Sequence, residues 1–195
     1  MPLILASGSP RRREILEGLM MDFKIKTADI DETVIDGEIV EESALRLAAE
    51  KADAVAEKSP DSLVIGADTI VSLDGAAIGK PVDRNDARDI LLRLGGRTHE
   101  VVTALAFTRL CEKLRSSVTC RSRVTFHNVD GGIVEQYLET GEYVDKAGGY
   151  AIQGYGKALV KSYDGSLTNI IGLPLRTLLS FIVSYGLERM PWRDG

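Results

Sequence analysis

Residues 3–16 read LILASGSPRRREIL, and the order of residue types in that stretch decides the fold class. Leu3–Ala6 is a short apolar run with the character of a buried strand, and Ser7, Gly8 and Ser9 make a tight turn. Ser9 is an N-cap residue type and Pro10 suits the first helical position, so a helix starts there. A strand that turns directly into a helix is a unit of α/β architecture. The same stretch also raises a chemical question. Arg11, Arg12 and Arg13 are adjacent at a helix start, where the positive end of the macrodipole disfavours cations. The backbone N–H groups of the turn, the helix N-terminus and the guanidinium forks all suit a phosphate. From this stretch alone, an anion grip and three solvated arginines weigh about equally.

Alternation of strand and helix signals continues along the chain. FKIKTA (23–28) has the period of a half-buried strand, and DIDETVIDGE (29–38) is an acidic loop. EESALRLAAEKADAVAEK (41–58) carries apolar residues at helical spacing. SLVIGADTIVSLDGAAIGKP (62–81) reads as two strand segments around Ala67, Asp68 and Thr69, with Asp74 and Gly75 as a hairpin turn. DRNDARDILLRLGG (83–96) is a capped amphipathic helix. Residues 98–110 and 114–129 are β-rich and expected to pair. Residues 132–142 read as a short helix, 144–156 as a glycine-rich loop, 157–165 as a strand and 173–187 as a helix with Pro174 near its start. The expectation is a single α/β domain over 1–195 with a mixed sheet.

Composition narrows the partners. An apolar fraction of 44% and a charged fraction of 27% are those of a globular domain. A net charge of −5 argues against polymeric nucleic acid and anionic membranes as partners. No apolar run reaches the roughly 18 residues of a membrane span, and the first residues have the wrong charge order for a secretory signal. The cytoplasm is the expected compartment. Cys111 and Cys120 show no CxxC pattern, and with only His99 and His127 beside them a zinc site is not expected. A metal here would be held by oxygen ligands.

Several common site motifs are missing: no GxxxxGK[ST], no complete GxGxxG, no GxSxG. What remains is a scatter of polar groups. Asp68 follows the apolar LVIGA, which would set its carboxylate at the end of a buried strand, either as a proton acceptor or cation ligand or as a plain turn cap. Glu32 is a metal-binding candidate or one more solvated acid. Lys51 and Lys80 are phosphate-binding candidates or surface lysines. Gln153, among glycines, either faces a ligand or braces its loop. Together, cations, carboxylates and glycine-rich approaches suit a phosphoanhydride bridged by Mg²⁺ or Mn²⁺, which prefer oxygen ligands.

The blocks LASGSPRRREIL, DETV, RLAAEKA, IGADTIV, IGKP, GRTHEVVTA, DKAGGYAIQGYG and NIIGLPL occur in that order over nearly the whole chain. Together they resemble the Maf family of nucleotide pyrophosphatases. The resemblance implies hydrolysis of a nucleoside triphosphate between its α and β phosphates, a divalent cation, a cytoplasmic homodimer, and a long mixed sheet flanked by helices with the site in a cleft between two lobes, similar to inosine triphosphate pyrophosphatase. Carried over, Asp68 is the proton acceptor and shares the metal with Glu32. Ser7, Arg11 and Arg12 form the phosphate-binding turn, and Lys51 and Lys80 meet the phosphates. Arg11, Thr69 and Gln153 occupy the positions that separate subgroups, and here they resemble the subgroup acting on dTTP and UTP. The alternatives are a pyrophosphatase for 7-methyl-GTP or another modified nucleotide, and a nucleotide-binding regulator of cell division.

Overall fold

A computed structural model describes residues 1–33, 35 and 37–193. Val34 and Asp36 of the acidic loop and Asp194 and Gly195 of the tail lie outside the described residues. The strands are β1 (Leu3–Ala6), β2 (Lys24–Ile25), β3 (Leu63–Leu73), β4 (Ala76–Ile78), β5 (Thr98–Arg109), β6 (Leu114–Phe126) and β7 (Val160–Asp164). They form a seven-stranded sheet in the order β2-β1-β3-β5-β6-β7, with β4 paired to β3. β1 runs parallel to β2 and β3, and the remaining pairings are antiparallel, so the sheet is mixed as the alternation of elements implied. The helices are α1 (Pro10–Glu17), α2 (Val40–Ala56), α3 (Arg84–Leu94), α4 (Gly131–Leu138), α5 (Leu167–Ile171) and α6 (Leu175–Tyr185).

Strand periodicity sorts the core. Along β3, Leu63, Ile65 and Ala67 face one apolar cluster with Leu5, Leu105, Phe107, Leu178 and Ile182. Val64 and Ile70 face the other side, where the alanine-rich face of α2 packs through Ala44, Ala48, Ala52 and Ala56. Burying a leucine or phenylalanine of this kind stabilises the fold by about 1.5–3 kcal/mol. Further along the first face, Val71, Leu73 and Val101 join Leu91, Val124, Phe126 and Val134 in another cluster. Between these two clusters the same face carries Thr69 and Thr103, paired in register across β3 and β5. That polar break divides the apolar interior on this face, and a cleft opens there.

Three expectations are corrected. β3 is one strand of 11 residues, because β5 pairs with it from Val64 to Ser72 without a break. Asp68 therefore lies in the middle of its strand, not at its end. The end that matters belongs to β1, whose pairing with β3 stops at Ala6 opposite Gly66, while β4 begins only at Val71. FKIKTA contributes only Lys24 and Ile25, both exposed on the sheet edge. Finally, α5 was not foreseen; it starts where the Ser166 hydroxyl accepts from the Asn169 backbone N–H at 3.2 Å. The Asp74-Gly75 turn was foreseen, and both residues adopt positive φ (54° and 82°) as a two-residue hairpin requires.

Candidate active site

The side of β3 left free between β1 and β4 borders a cleft of about 540 Å³. Neighbouring strand residues point to opposite faces, but a cleft at a strand edge receives both, so Asp68 and Thr69 line the same space. All nine residues nominated from the sequence line it: Ser7, Arg11, Arg12, Glu32, Lys51, Asp68, Thr69, Lys80 and Gln153.

On the α2 side, the close approach of helix to strand is set by Gly66. A Cβ there would lie 2.1 Å from the Ala48 carbonyl oxygen and 2.9 Å from Ala52. With α2 so close, buried Lys51 reaches over β3, and its Nζ donates to Asp68 Oδ1 at 2.7 Å. The same Nζ pairs with Glu32 Oε1 at 2.9 Å, and Lys80 Nζ stands 3.8 Å from Glu32 Oε2. One ammonium thus joins the two carboxylates. Partial burial works against the Glu32 carboxylate, but the Lys51 hydrogen bond and the charges of Lys51, Lys80 and Arg12 outweigh it and hold Glu32 below its ordinary pKa.

The opposite wall is the turn between β1 and α1. Helix α1 has no acidic residue in its first turn and no side-chain cap from Ser9, so its first N–H groups suit an anion. The Ser7 hydroxyl folds back and accepts from Ser9 N at 3.3 Å and from Arg12 Nη1 at 3.0 Å. The arginines differ. Arg13 is exposed and pairs with Glu17 at 2.7 Å. Arg11 lines the cleft, with no hydrogen-bond partner among the described residues. Arg12 is turned inward and donates to Gly172 O, Ser7 Oγ, Ala67 O and Thr69 Oγ1 at 2.8–3.0 Å. Burial pulls its guanidinium below the ordinary value, against the attraction of Asp68.

The third wall is the glycine-rich loop. Gly148 N donates to Gly79 O at 3.0 Å, which ties this loop to the segment carrying Lys80. Glu142 accepts from Gly156 N at 2.6 Å and fixes the turn that follows Gln153. Lys146 and Tyr150 also line the cleft and were not nominated from the sequence. Lys146 is held below its ordinary pKa by burial and by the charge of Arg11. Its signal was present: a cation two residues before the Gly148-Gly149 pair, in the same block as Gln153. Behind Tyr150, its hydroxyl meets His99 Nε2 at 2.7 Å, and burial depresses His99 to a pKa of about 4.

No group of three or more His, Cys, Asp or Glu side chains that could hold a metal occurs among the described residues. The pair formed by Glu32 and Asp68 nevertheless fits a hard cation. Mg²⁺ is usually held by one or two protein carboxylates, with substrate phosphates and water completing its shell, and here one cationic group already sits between two carboxylates.

The fold and this cleft define a mixed α/β protein with a carboxylate pair facing a cationic turn at the edge of its sheet. The chain belongs to the family described as Maf-like protein, whose pattern its residues 2–185 match. It is 45% identical over 185 residues to a protein of Clostridioides difficile (strain 630) named dTTP/UTP pyrophosphatase, with 95% of each chain covered. A Myxococcus xanthus (strain DK1622) protein of the same name is 45% identical over 191 residues, covering 98% of this chain and 95% of its own. Among solved structures, the Staphylococcus aureus Ham1 protein is similar at 15% identity and a TM-score of 0.49, covering 96% of this chain and 98% of that one.

Proposed function

We propose that this protein hydrolyses dTTP and UTP at the α–β phosphoanhydride, giving the nucleoside monophosphate and pyrophosphate. The observation that carries the reading is the carboxylate pair joined by Lys51 and faced by the cations Arg11, Lys80 and Lys146 across one cleft. The names of the relatives support it. Asp68 takes a proton from the attacking water as its oxygen bonds to the α-phosphorus, and the bridging oxygen leaves with pyrophosphate. Lys51 holds Asp68 Oδ1, which fixes the other oxygen's direction toward the water. Ser7 and the α1 N-terminus bind phosphate oxygens together with Arg11, and Arg12 supports that turn from behind. Lys80 and Lys146 meet the negative charge that accumulates on the leaving pyrophosphate. Glu32 and Asp68 would hold Mg²⁺ or Mn²⁺, which when bound neutralises triphosphate charge. Gln153 and Thr69 meet the base.

Residues 1–195 act as one domain, and the protein works as a homodimer in the cytoplasm; no helix among the described residues is long and apolar enough to cross a membrane. A panel of triphosphates assayed for pyrophosphate release, with Mg²⁺ and with Mn²⁺, tests the reading. UTP and dTTP are expected to be turned over fastest; faster turnover of 7-methyl-GTP would contradict the base assignment. Light scattering of the same preparation should give twice the chain mass of 21.2 kDa.

A further inference from the structure

One chain of hydrogen bonds fixes how Thr69 can meet a ligand. Thr103 Oγ1 contacts the Asn169 carbonyl at 2.9 Å, and a carbonyl only accepts, so the single Thr103 proton lies in that bond. Thr69 Oγ1 lies 3.0 Å from Thr103 Oγ1. With the Thr103 proton already committed, the proton in this second bond must be the one on Thr69. Arg12 Nη2, which can only donate, points at Thr69 Oγ1 from another side at 2.9 Å. The Thr69 hydroxyl is left with one lone pair and no proton to offer.

Both flanking groups are fixed. Thr103 is fully buried, and the far end of the chain, Asn169, is held by its own amide on Val101 O at 3.0 Å and Ser122 Oγ at 2.9 Å. Arg12 cannot readily swing away, since its other donors are engaged by Gly172 O, Ser7 Oγ and Ala67 O. The chain therefore has one sense of donation from end to end.

We infer that Arg12 and Thr103 are positioning residues that make Thr69 a pure hydrogen-bond acceptor in the cleft, and that it reads a ring N–H of the base. Uracil and thymine present such an N–H at N3, where cytosine presents an acceptor. The inference rests on the reading that Thr69 meets a pyrimidine base, and it adds the direction of that contact and the residues that impose it.

Binding of nucleoside monophosphates to the full chain, measured by calorimetry, tests this apart from turnover. The wild type is expected to bind UMP about tenfold or more tightly than CMP or N3-methyl-UMP, because an acceptor facing either has no donor to pair with. Thr103→Val removes the acceptor that occupies the Thr69 proton, so the proton can turn into the cleft and the preference for UMP over CMP should fall toward parity. Thr103→Ser restores the hydroxyl and should restore the preference. Thr69→Val should weaken UMP with little change for CMP, which covers the case in which Thr103→Val does not fold. Equal wild-type binding of UMP and CMP would overturn the inference, as would an unchanged preference in a folded Thr103→Val protein. A preference for UMP without pyrophosphate release from UTP would instead overturn the proposed hydrolysis and leave this inference standing.

Discussion

Lys51 shows how one side chain organises the site at the residue scale. Its ammonium lies between Glu32 and Asp68 and joins the two carboxylates. Asp68→Asn keeps the shape and removes the base, so turnover should fall by about 10²-fold or more, while calorimetric binding of the triphosphate stays within a few-fold. Undiminished turnover in that variant would refute the assigned role. Arg12 illustrates what the sequence conceals. Arg11, Arg12 and Arg13 look equivalent in the string, yet Arg12 shares a helix face with Leu16, four residues on and fully buried. That spacing was the available sign that Arg12 points inward. His99 makes a prediction that does not involve turnover. Its folded pKa of about 4 lies below the ordinary 6.5, because burial between Phe126 and Tyr150 disfavours the charged ring. The unfolded chain therefore takes up this proton first as the pH falls, and the stability linked to His99 is lost between pH 6.5 and about 4. The loss amounts to roughly 3 kcal/mol. Urea midpoints followed over that range should show a shallower decline for His99→Gln than for the wild type.

At the scale of elements, the site depends on where β1 stops and on how closely α2 approaches β3. The first gives Asp68 and Thr69 an open strand edge; the second brings Lys51 over it. Gly66→Ala tests the second point. The added methyl group would meet the Ala48 carbonyl oxygen and Ala52, so α2 must move outward, at a cost of about 1–3 kcal/mol from overpacking. The expected result is a lower melting temperature together with reduced turnover, since Lys51 moves with its helix. An unchanged melting temperature would contradict the packing described. Elements with many apolar residues at one period, such as α2, α3 and α6, were legible in the sequence, and so were β5 and β6. The continuity of β3 was not, because Asp68 and Thr69 interrupt its apolar run as a turn would; only pairing with β5 shows that the strand runs on. β2 was overread for the opposite reason, since alternation in FKIKTA does not reveal that only two residues find a partner. Helix α5, with five residues, is too short to display a period.

For the whole molecule, the two apolar clusters on one face of the sheet meet at a polar seam of Thr69 and Thr103, and the cleft opens beside that seam. Residues far apart in the chain, from Ser7 to Gln153, converge there only because a mixed sheet with a short parallel strand brings them together. Their gathering was foreseen through the resemblance of ordered blocks, whereas the bridging position of Lys51 was visible only once α2 was placed. In the proposed reaction, water attacks the α-phosphorus in this cleft. Hydrolysis of UTP in heavy-oxygen water, with the products separated and weighed by mass spectrometry, tests it most directly. One heavy oxygen in UMP and none in pyrophosphate is the predicted result; label in pyrophosphate, or release of orthophosphate in its place, would contradict the account.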